Sequence, residues 1–355
     1  MVRRKISRKT PGYLRISKWI ILGAIVIALF FAVRLYRIIF LPGAEIPEGE
    51  SVVLYIPEGM DYSWLEEKLI AEDIISDPQA FKWLAKKKNF HNHINAGRYR
   101  ISAGMSNNEL INMIRAGRQE PFMFMFNNLR TLNELAGIAG KEFEADSSEF
   151  SEYFNDPATA EKIGFTSETL PAMFIPNSYE FYWTTDPTEF VDRMKREYIA
   201  FWSDGKEKAA EKAGLDRVEV SILASIVEEE SLHEDENPRI AGVFINRLQQ
   251  GIPLQSDPTL IFARQDYTVR RVLNHDKKID SPYNTYLNRG LPPGPICIPS
   301  IAAIEGVLNY EEHNYLFFSA KPDFSGYHNF ARTLSQHNKN ARLYQQALNR
   351  RKIYR

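Results

Sequence analysis

Residues 19–33, WIILGAIVIALFFAV, contain no charged side chain, and the chain continues as RLYRIIFL. Nothing else in the sequence limits the fold so strongly, because so long an apolar run has no stable place on the surface of a water-exposed domain. Counted over residues 18–41, with Lys18, Arg34 and Arg37 snorkelling toward the ends, the segment reaches the roughly 20 residues a bilayer requires. The VRLYRIIFLPG that follows is bulky and basic where a signal peptidase needs small residues, so the span is expected to be retained. Seven Lys/Arg precede it and two lie in its far end. This asymmetry predicts a basic cytoplasmic tail over 1–17, a transmembrane helix over 18–41, and a chain that lies outside the cytoplasm beyond about residue 42.

The net charge of -1 averages two unlike regions. Residues 1–41 hold nine of the 44 basic residues and no acid, which leaves 35 Lys/Arg against all 45 Asp/Glu in the remainder. A folded portion that acidic is a poor binder of phosphate backbones, so no nucleic-acid partner is expected. The single cysteine, Cys297, excludes an internal disulfide framework. There is no CxxC, HExxH or Cys/His cluster, and His91 and His93 in NFHNHINAG read as a polar loop, so neither metal nor cofactor is expected.

After a linker at 42–50, residues 51–117 read as a small α/β module: strand SVVLYI, helix SWLEEKLIAEDII with a stripe of Leu65, Leu69, Ile70 and Ile74, helix PQAFKWLAKKK, strand AGRYRIS, and helix SNNELINMIRAG. Ser106 is placed to cap the last helix and Gly117 to stop it. The module carries no catalytic constellation, so binding or positioning is its expected work. Residues 118–355 read as a larger mixed domain, with helices in TLNELAGIAGKEF, SSEFSEYF and PTEFVDRMKREYIAFW. The aromatic LPAMFIPNSYEFYWTTDP between the last two is expected to be core.

In DRVEVSILASIVEEESLHEDENPRIAGVFINRL, the apolar positions Ile222, Leu223, Ile226 and Val227 fall at helical spacing. Glu230 continues that stripe; Glu229 falls at its edge and Glu228 on the small, polar face. Glu228, Glu234, Asp235 and Glu236 read as solvated charge. A carboxyl set against apolar walls is held protonated near neutral pH and can serve as a general acid. A buried pair with Arg239 or Arg247 accounts for the same pattern, and spacing does not separate the two. Beyond the helix come AGVFINRLQQGIPLQSDPT, read as an amphipathic helix and a proline-stopped turn, and the long loop SPYNTYLNRGLPPGPICIPS. Long loops with their own turn chemistry are usually functional. NYLFFSA and GYHNFARTLSQHNKNARLY then give two strands and a terminal helix.

In their order, ASIVEEES, GVFINRLQQGIPLQSDPT, SPYNTYLNRGLPPGPI and the YHNF segment with the Thr and His-Asn that follow it resemble the MltG (YceG-like) family of endolytic murein transglycosylases. The resemblance implies an α+β chain with one inner-membrane span, a LysM-like module at 51–117 and a periplasmic lytic domain at 118–355. It implies peptidoglycan glycan strands as substrate and peptidoglycan synthases as partners. The family's essential glutamate precedes Thr or Ser in E-x-E-[ST], here Glu230 before Ser231. The implied reaction cleaves the MurNAc–GlcNAc bond and leaves a 1,6-anhydro end. Asn246, Gln255, Ser256, Asp257, Tyr283, Asn284, Tyr286, His328 and Asn338 are the residues expected to bind substrate. Departures occur at Pro171-Ala172, at Pro176-Asn177-Ser178-Tyr179 and in MFMFNNLRT, where family carboxylates are missing. A glycan-binding scaffold without activity and a hydrolytic muramidase are the alternative readings.

Overall fold

The computed structural model describes residues 12–44, 46–203, 205–268 and 272–351. The chain divides into two compact units, one of residues 1–122 with 182–184, the other of 123–181 with 185–355. Helices and two-stranded sheets alternate in both, so the architecture is mixed α and β.

The first unit begins with helix α1 (Gly12–Phe40), whose stretch Trp19–Phe40 has a mean hydropathy of 2.3 and buries none of its most apolar window. Then follow β1 (Ser51–Ile56), α2 (Tyr62–Ala71), α3 (Pro78–Lys87), β2 (Gly97–Ser102) and α4 (Asn107–Arg115). Strands β1 and β2 pair antiparallel from Ser51 opposite Ser102 to Ile56 opposite Gly97. Alternation sends Leu54, Ile56, Tyr99 and Ile101 to one face, where all four are fully buried under the helices. Each such side chain contributes about 1.5–3 kcal/mol of burial. Asp61, Asp77 and Ser106 accept backbone N–H bonds at the starts of α2, α3 and α4, and Ser106 forms a full capping box with Glu109. Gly117, at φ +62, takes the left-handed turn after α4. One expectation fails: Ile70 is exposed. Helix α2 ends at Ala71, and a left-handed turn at Asp73 brings Ile74 into the core from outside the helix, which leaves Ile70 on the solvent side. His91 packs on Tyr62 and the His93 ring bonds the Asn89 carbonyl, so both belong to a local turn.

The second unit comprises β3 (Phe122–Met125), α5 (Leu132–Glu142), α6 (Ser147–Asn155), α7 (Pro157–Ile163), β4 (Ser178–Phe181), α8 (Pro187–Phe201), α9 (Lys206–Ala213), α10 (Arg217–Glu230), α11 (Asn237–Gln249), α12 (Asp257–Arg264), α13 (Ile301–Leu308), β5 (Phe317–Ala320), β6 (His328–Ala331) and α14 (Leu334–Arg350). Phe124, Phe150, Phe174, Phe181 and Phe190 form a buried aromatic cluster with ring centroids 5.1–6.4 Å apart, so Leu170, Phe174, Tyr179 and Phe181 serve as core, as the sequence leads one to expect, while Tyr182 of the same segment is exposed. Helices α7, α9 and α13 have no counterpart in the sequence reading. The first shares Asp156 with the end of α6, and the second, KEKAAEKA, buries only Ala210 and Ala213, so neither presents an apolar stripe. The proline-stopped turn is also corrected. Asp257-Pro258 opens α12, because a proline in the first helical turn lacks an N–H that would be unpaired there in any case.

Candidate functional site

Helix α10 is set by Asp216, which forms a capping box with Glu219, and by eight consecutive buried residues from Val220 to Val227. It packs on α11 and α13. Its last turn carries three glutamates and no cation. Negative charge at a helix C-terminus opposes the macrodipole and ordinarily costs 0.3–1 kcal/mol per group. The positions of the three carboxylates explain how the helix tolerates them.

Glu228 lies at the start of α13, where it accepts from the Ser300 hydroxyl at 2.5 Å and the Ser300 N–H at 3.3 Å, with Asn128 donating to its other oxygen at 3.1 Å. It is a cross-helix tie rather than the solvated charge its place on the helix suggests. Glu229 is half-buried and pairs with the Arg130 guanidinium at 3.4 Å; burial pushes its carboxyl up and Arg130 pulls it back. Glu230 lies at the start of α12, where it accepts from the Ser256 hydroxyl at 2.6 Å. The negative end of α10 thus abuts the positive ends of α12 and α13.

Burial pushes the Glu230 carboxyl up to about 7. The Ser256 bond and the charge of Arg247 draw it down, while Asp257 and Glu229 add to the rise. The residue keeps partial exposure to solvent. The pairing with Arg239 or Arg247 is absent among the described ion pairs. Arg239 holds Glu311 at 2.7 Å. Arg247 donates to the carbonyls of Leu316, Leu254 and Pro253 and stacks on Phe317, so its guanidinium braces the loop that leads to Ser256.

The other expected site residues fall into two groups. Ser256 bonds Glu230 directly, and its neighbour Asp257, close enough to raise the Glu230 carboxyl, accepts from the Tyr286 hydroxyl at 2.6 Å. Gln255 precedes Ser256 with φ +53, an uncommon left-handed conformation for a non-glycine residue, held by its N–H bond to the Thr285 carbonyl. Thr285 also accepts from the Ser256 N–H and bonds Thr259, and this buried trio fixes the α12 start. The remainder support loops. Asn246 gives its amide to the carbonyls of His313 and Tyr315, and fully buried Asn284 gives its own to Lys277 and Ile279. Tyr283 packs on Phe262 at 4.6 Å. His328 meets buried Glu236 through both its ring and its N–H, and Asn338 is exposed on α14, where among the described residues it makes no polar contact with the others. Glu236, expected in solvent, is therefore a structural anchor.

That anchor is part of a clasp. Residues 231–236, which leave Glu230, are held to the β5–β6 hairpin turn. The His233 ring bonds the Ser325 carbonyl at 2.8 Å and stacks on Tyr327 at 3.9 Å, and the Tyr327 hydroxyl reaches Asp235 at 3.3 Å. Cys297 is buried beside Ser225, and burial pushes its thiol up, so it is core. Sequence reasoning missed Arg130, Thr285 and Ser300. Only Ser300 had a readable signal, a serine between Pro299 and an apolar run.

Residues 54–343 match the family described as YceG-like. The chain is 30% identical over 323 residues to the endolytic murein transglycosylase of Bacillus subtilis, covering 86% of this chain and 88% of that one. It is 28% identical over 305 residues to the protein of that name from Streptococcus pneumoniae, where it covers 76% of itself and spans about half, 54%, of the relative. A crystal structure of a YceG-like protein from Listeria monocytogenes superposes with a TM-score of 0.55 at 24% identity, covering 82% of this chain and 98% of the other. That likeness shows the fold alone.

Proposed function

The chain belongs to the YceG-like family, and from that premise we propose that it is an endolytic peptidoglycan lytic transglycosylase that uses Glu230 as its single acid–base. The observation that carries the reading is the Glu230 carboxyl, raised to about 7 by burial and oriented by Ser256 at 2.6 Å. A group that is half protonated near neutral pH can give and retake a proton.

In the reaction, protonated Glu230 donates to the oxygen between MurNAc C1 and GlcNAc, and the C1–O bond breaks. The MurNAc C6 hydroxyl oxygen bonds to C1, and its proton returns to Glu230. The leaving sugar gains one proton, the muramyl residue closes to a 1,6-anhydro ring, and no water is consumed. Asp257, near enough to raise Glu230, supplies negative charge opposite the cationic character that develops at C1. The Tyr286 bond holds Asp257 in place. Gln255 and the half-buried face of Tyr286 offer the sugar a polar and aromatic wall.

The apolar Trp19–Phe40 helix supports a single-pass anchor in the cytoplasmic membrane, N-terminus inside, with the 51–117 module and the catalytic unit in the periplasm. The strand–helix–helix–strand–helix order of the module supports a LysM-like role in holding glycan, and the family resemblance supports neighbouring peptidoglycan synthases as partners. The test is mass spectrometry of glycan strands incubated with the protein. The expected products carry anhydro ends; products heavier by one water would make it a hydrolase, and unchanged strands a binding scaffold.

A further inference from the structure

The first residues of the 42–50 linker are held on both sides by the small module. Pro42 pairs with Ser106 and Ala44 with Ile75 in isolated β-bridges. The Gly43 and Ala44 N–H groups donate to the Met105 carbonyl at 3.0 and 3.2 Å, and the Ser76 N–H donates to the Gly43 carbonyl at 3.0 Å. A Cβ at Gly43 would collide with the Asn107 side chain, so glycine is what lets the chain pass this close to α4. Ile38 and Ile39, in the last turn of α1, pack against the core of the module. The end of α1 is therefore a closed joint and not a loose tether.

Beside this joint, α1 and the start of α3 leave an open groove of about 1130 Å³, and its lining changes in character along α1. Phe30, Phe31 and Val33 of the apolar run line its far stretch, and Arg34 and Arg37 line the stretch nearer the joint with Gln79 and Asn107. Phe30 and Arg37 are seven residues apart, about 10 Å along the helix. Both arginines are exposed and have no ion-pair partner among the described residues. Asp77, the one acid of the lining, caps α3 by accepting the Ala80 N–H at 2.9 Å, so the lining keeps a net positive charge. Trp83 borders the groove at 39% exposure, and the Lys87 ammonium lies 5.9 Å over its ring, a third cation at the rim. The buried Asn107 Oδ1 meets no donor among the described residues.

We propose that this groove holds one anionic glycerophospholipid of the outer leaflet, its phosphate at Arg34 and Arg37 and an acyl chain along Phe30, Phe31 and Val33. The inference rests on the reading of α1 as a membrane anchor. Ile38 and Ile39 are covered by protein, so Arg34 and Arg37, about a turn before them, mark the level of the headgroups, where long cationic side chains reach phosphate. Lipid is the molecule that surrounds a spanning helix at that depth. Trp83 is a residue of the kind enriched there. The bound lipid fills the space between α1 and α3 and fastens the small module to the bilayer surface.

The test is native mass spectrometry of the full chain in detergent, titrated with phosphatidylglycerol, phosphatidylcholine of the same acyl chains, and glycerol 1-phosphate. Phosphatidylglycerol is expected to bind about tenfold more tightly than phosphatidylcholine, the order expected for two cations at a lipid phosphate, and glycerol phosphate to leave no adduct. Arg34→Gln combined with Arg37→Gln, and separately Gln79→Glu, should bring phosphatidylglycerol to the level of phosphatidylcholine. All three side chains are exposed, so these variants should melt as wild type does. Lys68→Gln combined with Lys82→Gln, the same loss of charge outside the lining, should change nothing. Equal binding of the two lipids, unchanged binding in the groove variants, an equal loss in the lysine pair, or glycerol phosphate binding as well as lipid would each overturn the proposal. Carbonate extraction of membranes separates it from the reading beneath it. A chain that resists extraction but shows no lipid preference would refute the groove alone. A chain released by carbonate that still selects phosphatidylglycerol through Arg34 and Arg37 would refute the span and keep the lipid site.

Discussion

The Ser256 hydroxyl donates to the Glu230 carboxylate across 2.6 Å, and in doing so it does not cap its own helix. A serine at that position ordinarily accepts a backbone N–H and contributes about 1 kcal/mol. Here the hydroxyl orients an acid 26 positions earlier in the chain. The Ser256 oxygen is buried and its N–H is held by Thr285, so the orientation of Glu230 is set by a rigid neighbour.

Glu230→Gln is expected to lower turnover by at least about 10²–10⁴-fold, the usual contribution of general acid–base catalysis. Steady-state assay of anhydro-end formation checks this; retention of more than a tenth of wild-type kcat would remove Glu230 from the mechanism.

The same carboxyl has a pH signature in stability. An unfolded glutamate titrates near about 4.3, and folded Glu230 near about 7, so between these values the native state holds a proton that the unfolded state has released. Stability contributed by this group is therefore complete below the lower value and declines as pH rises through the upper one. Thermal melts at pH 5 and pH 8 should show Glu230→Gln gaining on wild type at the higher pH. The general-acid role predicts kcat/KM falling over the same upper limb.

Ser256→Ala removes a bond that lowers the Glu230 pKa. The alkaline limb of the pH–rate profile should move upward, and kcat should fall about tenfold from lost orientation. An unchanged profile would mean that Ser256 serves packing alone.

Glu228→Ala should cost about 1–3 kcal/mol, because the Ser300 N–H and hydroxyl lose a charged acceptor. Denaturant titration reads the loss, and the folded fraction should keep near-normal kcat. Inactivation without destabilisation would move the catalytic acid from Glu230 to Glu228.

Topology is open to a direct check. A reporter enzyme active only in the cytoplasm, fused at Arg355, should be silent; activity there would reverse the orientation drawn from the basic tail.

Much of the fold could be read from pattern. Alternation marked β1, an apolar stripe marked α2, a cap and a stop marked α4, and Glu230 stood out because it continues the Leu223–Val227 face. What escaped depends on partners remote in sequence. Spacing placed Glu228 in solvent because nothing local reveals Ser300, 72 residues on, and Glu236 because nothing local reveals His328, 92 residues on. Asn246 and Asn284 looked like sugar ligands because an exposed amide and one bonded to loop carbonyls have the same letter. Helix α9 escaped for the opposite reason, since it buries too little to leave a pattern.

The clasp between residues 231–236 and the hairpin turn sets an order on biosynthesis. Glu230 leaves the ribosome well before Ser256, and the hairpin residues that fasten the segment after it emerge later still, 92 positions beyond their partners. Until His328 is in place, the segment that leaves α10 lacks the bonds that its Glu236 accepts. A chain cut short near residue 320 holds every group proposed to touch the sugar and still lacks the fastening of the segment that follows the acid. The segment that carries the acid is thus fastened by residues made long after it.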